Sequence, residues 1–382
     1  MTLILTIAII ITTLTSLVLV TRWRDVRCTG PLPATLFTFI AILFTSGLDV
    51  GLIMFPLVDF EVYRSEAPYA FTNPLALEFG FWGFLVWAFY FLTTFYFCIV
   101  EPRLKLFEIP IIKFVNNVVI IGTCAFTGYL FLVYLPGYID GISDTYRFAL
   151  VAVVILLAAA SSTHIRFVTI LSVSSTWLFF ALIVGVWAVS GMGLTGLVDS
   201  GANIGDYFAN IHRFVMPITD YHQFYLYWWF AWSIMIGQFV SRFVGGLKAW
   251  QLLLALLIVP SVPIGIWFSV LYFYFDNGID VSNFWRLAMI TVGIIFVINS
   301  LDSLIRLYTR NLHLTVERMG TAKYIAANWV ALFSLVLLYQ FTPLKIEWVG
   351  LIVIGIYAAV YVLVFKRRHE LTGATPDEAV IR

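Results

Sequence analysis

The chain contains 382 residues, of which 62% are hydrophobic and only 11% are charged, and its formal net charge is +1. Because soluble domains carry about a quarter charged residues, this composition excludes an ordinary soluble globular protein. It also excludes a nucleic-acid-binding protein, since the basic residues form no stripe or patch. The three cysteines, Cys28, Cys98 and Cys124, are scattered and show neither metal-ligand nor redox spacing.

Apolar stretches long enough to cross a bilayer recur along the whole chain, and each crossing needs about 20 residues. The first stretch lacks a basic start and is followed by Trp23-Arg24-Asp25 rather than by a cleavage site, so we predict a retained helix. Between the sixth and seventh stretches, segment 205–214 has the pattern of a short amphipathic helix at the membrane interface. The eleven predicted membrane spans are 2–22, 33–58, 79–100, 112–136, 146–162, 166–191, 221–246, 250–274, 283–305, 322–341 and 347–366.

The charged residues predict how the chain is oriented in the membrane. Most lysines and arginines fall in the loops after the odd-numbered spans and in the C-terminal segment, whereas acidic residues occupy the opposite loops. By the positive-inside rule, this alternation puts the N-terminus outside and the C-terminus in the cytoplasm. We therefore predict a multi-pass protein of the plasma membrane, which in a bacterium is the inner membrane.

Two predicted spans contain helix-weakening residues at corresponding positions. The second has segment 46–51 followed by Pro56, and the seventh has segment 233–237 just after its tryptophans. Counted from these two, the spans form two sets of five, and an odd number of crossings inverts one set relative to the other. Interrupted helices of this kind line the midplane sites of inverted-repeat transporters, although glycines also serve close helix packing. The predicted organisation is a peripheral N-terminal helix and loop (1–32), a first five-helix repeat (33–191), a periplasmic loop with the amphipathic helix (192–220), a second five-helix repeat (221–366) and a short cytoplasmic tail (367–382).

Aromatic residues are concentrated in the third and seventh spans. On a continuous helix, Trp82, Trp87 and Tyr90 fall within an arc of about 140° and can face the bundle interior together. The seventh span carries three further tryptophans, two of them on one face. Single tryptophans usually anchor helices at the membrane interface, but two such clusters favour a cage of π faces. A cage of this kind suits a cation that cannot donate hydrogen bonds, such as trimethylammonium.

Both aromatic runs follow an ordered pattern. The seventh span contains Phe224, Tyr225, Trp228, Trp229 and Trp232, with Arg242 further along, and the third span contains Trp82, Gly83, Trp87, Ala88 and Tyr90. These runs, together with Gly-Asp-Tyr at 205–207, resemble the signatures of the betaine/choline/carnitine transporter (BCCT) family; the chain departs from them at Leu226, where the family has tryptophan. The resemblance covers roughly residues 33–366. It implies an all-α polytopic membrane protein with a LeuT-like 5+5 inverted repeat, about 11 transmembrane helices and an interfacial amphipathic helix.

The resemblance also implies roles for the aromatic residues. A central substrate box would be formed by Trp82, Trp87, Tyr90 and Trp229. Two more tryptophans, Trp228 and Trp232, would line the box and the path to the cytoplasm. Leu48 and Phe224 complete the predicted substrate-binding residues.

The residues implied for a driving ion lie in three places. Thr123 and Thr127 stand four residues apart, which stacks both hydroxyls on one helix face, and the resemblance implies a sodium site there. Their alternative role is bonding back to carbonyls of their own helix. A second implied sodium site lies between the second and ninth spans, where Asn299 replaces the threonine of the family. The predicted coupling-ion residues are Asp49, Thr123, Thr127, Thr45, Phe296, Asn299 and Ser300.

Asp49 is the sharpest departure from the family, which has a glycine at this place in the interrupted second span. An ionisable group at membrane depth is costly and is functional by default. We hypothesise that Asp49 carries a coupling proton, or supplies charge to sodium or to a cationic substrate. A carboxylate that caps the broken helix is the alternative.

These expectations combine into a secondary active transporter that imports a quaternary-ammonium solute of the betaine or choline type by alternating access, driven by a sodium or proton gradient. A non-transporting membrane subunit or sensor derived from the same fold is the alternative. No enzyme is predicted, because the five histidines show no ligand spacing and no nucleophile–base pairing stands out. The only predicted cofactor is Na+. The predicted partners are the onium solute and the lipid bilayer, without nucleic acid; family members are commonly trimers, and the sequence leaves open whether this chain forms a homotrimer.

Overall fold

The computed structural model describes residues 2–47 and 50–372, and most of these residues lie in helices. The helices are α1 (Thr2–Arg22), α2 (Leu36–Gly47), α3 (Val50–Met54), α4 (Pro56–Ser65), α5 (Pro74–Trp82), α6 (Leu85–Phe95), α7 (Glu101–Leu104), α8 (Pro110–Tyr134), α9 (Asp144–Ser161), α10 (Ile165–Val189), α11 (Leu194–Ala202), α12 (Gly205–Ala209), α13 (Asp220–Val240), α14 (Ala249–Asp276), α15 (Asn283–Asn311), α16 (Val316–Met319), α17 (Thr321–Phe341), α18 (Ile346–Lys366) and α19 (His369–Thr372). Two short strands, β1 (Arg27–Thr29) and β2 (Gly245–Lys248), pair antiparallel.

Nine helical spans within the described residues are long and apolar enough to cross a membrane. They coincide with nine of the eleven predicted spans, and one of them is the composite run Pro74–Leu104, which contains α5, α6 and α7. Within the described part of the predicted span 33–58, α3 ends at Met54 and Pro56 begins α4, because proline cannot continue the hydrogen bonding of a preceding helix. The predicted span 221–246 is α13, whose tyrosine, histidine and glutamine side chains lower its hydropathy.

Two details of the predicted spans are wrong. α13 runs without interruption through Ser233 and Gly237, so the seventh span is not broken. Gly237 instead permits close packing of α13 on α6, since a Cβ there would overlap Thr93, whose hydroxyl donates to the Ser233 carbonyl at 2.7 Å. The third span, in contrast, breaks between α5 and α6 at Gly83 and Phe84, where the sequence pattern predicts a continuous helix.

The packing of the helices repeats between the two halves of the chain. In the first half, the first helix α2 packs along the fifth helix α10; in the second half, the first helix α13 packs along the fifth helix α18. The contacts between the halves are exchanged in the same way. The third helix of one half packs on the fourth of the other, both as α8 on α17 and as α15 on α9. Two equivalent five-helix units related by a twofold axis produce this exchange, as the predicted 5+5 repeat requires.

A buried ion pair fixes α15 to the end of α9. Arg306 Nε donates to Asp302 Oδ1 at 2.9 Å, and neither side chain is more than 9% exposed. A second nitrogen of the same guanidinium donates to the carbonyl oxygens of Ser161, at 2.6 Å, and His164, at 2.5 Å. Because carbonyls at a helix C-terminus lack partners within the helix, Arg306 caps α9 while it neutralises Asp302.

The N-terminal segment is hydrogen-bonded to the segment between α13 and α14, and we call the paired stretches 26–34 and 242–249 the clasp. Backbone amides of residues 30, 32 and 34 donate to carbonyls of residues 242–244 at 2.8 to 3.0 Å. Gly30 permits this approach, because a Cβ there would overlap the backbone of the opposite stretch. At its edge, Lys248 Nζ lies 2.8 Å from Asp25 Oδ1, and this hydrogen bond lowers the pKa of the Asp25 carboxyl.

The close packing of α18 on α13 depends on a glycine, which gives a first testable prediction. A Cβ at Gly350 would overlap the carbonyl of Tyr227, whose carbon lies 2.9 Å from the added atom. Backbone cannot move aside as a flexible side chain can, so we expect Gly350→Ala to destabilise the protein by about 1–3 kcal/mol. Thermal unfolding of the purified protein in detergent measures this loss.

Gly355 on the same helix is the matched control for Gly350. A Cβ at Gly355 would meet nothing within 4 Å. Alanine is also the better helix former, by roughly 0.5–1 kcal/mol. Gly355→Ala should therefore leave the unfolding temperature unchanged or raise it. Equal effects of the two substitutions would contradict the close approach of α18 to α13.

Candidate functional site: an aromatic cluster between α5 and α13

The break between α5 and α6 sets the direction of the first tryptophan. The Gly83 amide still bonds to the Phe79 carbonyl at 2.7 Å, which ends α5, and Phe84 adopts a φ of 52°. A positive φ is costly for a phenylalanine and turns the chain sharply before α6 begins. The turn leaves the Trp82 carbonyl oxygen free to accept a hydrogen bond from Trp87 Nε1 at 3.2 Å. The two residues are thus joined across a break rather than aligned on one helix face.

Three tryptophans from two helices meet in the protein interior. The Trp82 ring lies 5.2 Å from Trp229 and 5.8 Å from Trp228, edge-on to both at interplanar angles of 81° and 87°. Trp228 and Trp229 stack on each other at 5.0 Å and 17°. None of the three is more than 1% exposed. These rings therefore do not serve as interfacial anchors. They pack against one another where α5 meets α13.

The hydrogen bonds of the indole groups divide the tryptophans into two sets. Trp229 Nε1 donates to the Phe81 carbonyl at 2.8 Å, which ties α13 to α5. The indole nitrogens of Trp82, Trp228 and Trp232 are buried and form no hydrogen bond. Buried polar groups without partners are rare in folded proteins, so these three indole nitrogens are candidates for hydrogen bonding to a ligand.

The other predicted box residues do not all contact this cluster. Trp87 and Tyr90 are one turn apart on α6, and their ring centroids are 5.3 Å apart at 87°. Trp232 is buried on α13 one turn beyond Trp228. Phe224 is partly buried and stacks on Trp228 at 6.1 Å. Leu48 lies outside the described residues.

The two threonines of the first implied sodium site behave differently. Thr123 and Thr127 are both fully buried on α8. Thr127 Oγ1 donates to the Thr123 carbonyl at 3.2 Å, as expected for a hydroxyl that bonds to its own helix. The Thr123 hydroxyl has no hydrogen-bond partner. Of these two threonines, only Thr123 therefore has a hydroxyl that could bind an ion without breaking an existing hydrogen bond.

The second implied sodium site contains a closed set of hydrogen bonds. Thr45 donates its hydroxyl proton to the Ala41 carbonyl at 2.7 Å, so its oxygen can only accept from Asn299 Nδ2, at 2.5 Å. The same amide nitrogen lies 3.2 Å from Ser172 Oγ, and Ser300 Oγ donates to the Thr45 carbonyl at 3.3 Å. Asn299 thus directs its nitrogen, not its oxygen, toward Thr45, and a cation there would require the amide to turn over.

The two remaining predicted coupling residues, Phe296 and Asp49, provide no evidence for an ion site. Phe296 is buried and contacts the rings of Phe44 and Phe179, at 6.1 and 5.9 Å, so its side chain serves packing. Asp49, the residue hypothesised to carry a proton or a charge, lies outside the described residues.

Two buried carboxyl groups are missing from the sequence prediction. Glu78 on α5 is fully buried, and Asp59 on α4 is 5% exposed. The predicted spans 33–58 and 79–100 stop one residue short of each, so both fall outside the predicted membrane helices. A signal was available in the spacing, because each carboxyl stands four residues before an aromatic residue, Tyr63 or Trp82, on the same helix.

Comparisons with known proteins agree with this geometry. No protein-family model matches the chain. The glycine betaine transporter OpuD of Bacillus subtilis is 25% identical over 285 residues, which cover 62% of this chain and 54% of that protein. A glycine betaine/proline/choline transporter of Vibrio parahaemolyticus is 32% identical over 100 residues, 24% of this chain and 17% of that protein. The chain is thus similar in sequence to betaine transporters, in agreement with the resemblance carried by its aromatic signatures.

The fold of this chain is also found among solved structures. A sodium-coupled sialic acid symporter in a substrate-bound, outward-open state superposes with a TM-score of 0.51 at 14% identity, covering 92% of this chain and 84% of the other. The LeuT-like architecture predicted from the sequence is thereby confirmed, and the matched relatives are transporters, not enzymes. The chain spans about half the length of OpuD, the relative that it matches over 285 residues.

Proposed function

We propose that the chain is a secondary active transporter that imports a quaternary-ammonium solute of the betaine or choline type by alternating access. The main support is the edge-on meeting of Trp82 with Trp228 and Trp229 in the protein interior. Such π faces attract a desolvated onium head by about 2 kcal/mol or more. Substrate sites of inverted-repeat transporters lie between the repeats near the bilayer midplane. The betaine transporters among the relatives support the same class of solute.

The contact between the rings suggests how the solute enters. Trp82 and Trp229 touch each other, so an onium head fits between them only when the rings part. Because α5 and α13 belong to different repeats, rocking of one repeat against the other would change this separation. A zwitterionic solute gains a further interaction, since its carboxylate can accept the unpartnered indole N–H groups of Trp228 and Trp232.

The orientation in the membrane is part of the same proposal. We place the N-terminus outside and the C-terminus in the cytoplasm of the plasma membrane. The distribution of basic residues over alternate loops supports this arrangement. With that orientation, inward transport carries the solute from the side of α11 and α12 to the side of the clasp.

Uptake into proteoliposomes tests the proposed function. Purified protein should accumulate radiolabelled betaine or choline above the equilibrium level when an inward sodium or proton gradient is imposed, and the gradient-collapsed vesicles are the control. Binding of either solute without accumulation under any gradient would favour the alternative, a non-transporting sensor. Absence of both binding and uptake would refute the aromatic site as an onium site.

The unpartnered hydroxyl of Thr123 leads to a prediction about the driving ion. If sodium drives transport through Thr123, Thr123→Val should weaken the apparent sodium affinity about tenfold or more, because hydrogen-bond-like contacts to a charge are worth about 1.5–3 kcal/mol. Folding stability should hardly change, since the hydroxyl makes no bond to lose. Sodium-dependent uptake and thermal unfolding, measured on the same preparation, separate the two effects.

Thr176 provides the matched control for Thr123. Its hydroxyl is also buried and bonds to its own helix, at 2.8 Å from the Ser172 carbonyl. Thr176→Val should leave the sodium dependence unchanged. An unaltered sodium dependence in Thr123→Val would remove Thr123 from the coupling site.

A further inference from the structure

Asp59 and Glu78 form a buried carboxyl pair beside the aromatic cluster. Tyr63 lies between them: its hydroxyl donates to Glu78 Oε2 at 3.0 Å and also faces Asp59. On the other side, Tyr221 donates to Asp59 Oδ2 at 3.1 Å. The two carboxyls are close enough to interact electrostatically. The second Glu78 oxygen, Oε1, is buried and has no hydrogen-bond partner.

No basic group neutralises the carboxyl pair within the described part of the chain. The titratable groups that face it from the neighbouring elements are phenols, namely Tyr63 and Tyr69 next to α4 and Tyr221 and Tyr225 on α13, with Tyr134 of α8 behind Tyr221. The nearby cation on α4, Arg64, is directed away to Asp276 of α14 at 2.7 Å. The buried imidazole of His222 accepts the Ile218 amide instead.

Two ionised carboxylates are not stable together in a buried site that has no basic group beside it. Each would lose its hydration, and their mutual repulsion is strong where the effective dielectric constant is low. Buried charges persist when they are paired, and phenol hydrogen bonds do not supply a counter-charge. At least one proton therefore resides on the pair in this structure.

Trp82 links the carboxyl pair to the aromatic cluster. Trp82 follows Glu78 by one turn of α5, and its indole nitrogen lies near the Glu78 carboxyl without forming a hydrogen bond of ordinary geometry. The same ring makes the edge contacts with Trp228 and Trp229. An ionised Glu78 attracts the N–H more strongly than a protonated Glu78 does, because the carboxylate carries a full negative charge. The orientation of the ring and the charge of the carboxyl are thus mutually dependent.

We propose that Asp59 and Glu78 are a proton-binding site whose protonation is coupled, through Trp82, to binding of the onium solute. This inference rests on the proposed transport function and assigns it a coupling ion. When the solute enters, Trp82 turns away from Glu78, and the carboxyl takes up a proton from water on the open side. When the solute leaves, Trp82 returns and the proton is released to water on the other side. Because coupling is reciprocal, protonation raises the affinity for the solute.

Binding of betaine to the purified full-length protein at several pH values tests the coupling. Above the pH at which the pair loses its proton, the dissociation constant measured by tryptophan fluorescence should rise by about tenfold per pH unit, as linkage of one proton requires. Glu78→Gln carries a neutral amide of the same shape, so it should keep the low-pH affinity at every pH. Tyr63→Phe should shift the pH of the transition. Glu61→Gln, which changes an exposed carboxylate of α4, should behave as the wild type.

Infrared spectroscopy provides a readout that needs no solute. The wild-type protein should show the carbonyl-stretch band of a protonated carboxyl that disappears as the pH is raised, and the double variant Glu78→Gln with Asp59→Asn should lack it. Betaine binding with no pH dependence, or with affinity that rises with pH, would overturn the proton site while leaving the transport function intact. A protein that binds neither betaine nor choline would instead refute the transport function, and the infrared band would still decide whether the pair holds a proton.

Discussion

Trp82→Leu should weaken betaine binding by about thirtyfold, the equivalent of the roughly 2 kcal/mol that a desolvated cation–π contact contributes. Trp82 is the ring that meets both Trp228 and Trp229 edge-on, so its loss removes a π face and the wall that orients the other two. Trp82→Phe retains an aromatic face and should recover most of the affinity. Isothermal titration or fluorescence titration of the purified protein measures the three dissociation constants.

A lipid-facing tryptophan supplies the control for this experiment. Trp348 is 49% exposed at the start of α18, and Trp348→Leu should leave betaine binding unchanged. Unfolding temperatures must accompany all variants, because removing a buried indole also leaves a cavity. A Trp82→Leu protein that is folded and binds betaine as tightly as the wild type would show that the solute binds elsewhere.

Arg306→Leu should be the most destabilising single substitution considered for this protein. It leaves the carboxylate of Asp302, which is fully buried, without its counter-charge, and it removes the donors to the carbonyls of Ser161 and His164. Removing one partner of a buried pair typically costs about 3–5 kcal/mol. We expect a large fall in the unfolding temperature and a low yield of monodisperse protein on size-exclusion chromatography.

Two further variants separate charge from packing at this site. Arg310→Leu removes an exposed arginine one turn further along α15 and should have little effect. The double variant Arg306→Leu with Asp302→Leu removes both charges and should recover part of the lost stability, because no uncompensated charge remains. If Arg306→Leu and Arg310→Leu unfold at the same temperature, the ion pair does not stabilise the junction of α9 and α15.

The sequence predicts the structure correctly where a residue type has one strong conformational or environmental preference. Pro56 predicts the division of the second span, since proline cannot continue a helix. The aromatic runs predict that α5 and α13 face each other, because so many indole rings are costly to place at one depth in lipid except at an interface.

The errors have equally specific causes. Phe84 adopts a positive φ, a conformation that a sequence usually indicates with glycine and not with phenylalanine. The sequence therefore gives no sign of the break between α5 and α6. Gly237 weakens a helix in principle, yet in α13 it is used for packing against Thr93, which sequence alone cannot distinguish. Asp59 and Glu78 fall one residue beyond the predicted spans, because a charge lowers the hydropathy by which the ends of a span are chosen. Choosing the ends of a span by hydropathy therefore leaves these two buried acids outside the predicted membrane helices.

The clasp has a mechanical consequence for the transport cycle. It joins α1, a helix outside both repeats, to the end of α13, which carries Trp228 and Trp229. Antiparallel backbone hydrogen bonds resist sliding of one stretch past the other, since all of them would break together. In the proposed transport cycle, a rotation of α13 would therefore pull α1 through the surrounding lipid, and the viscosity of the bilayer would oppose that movement.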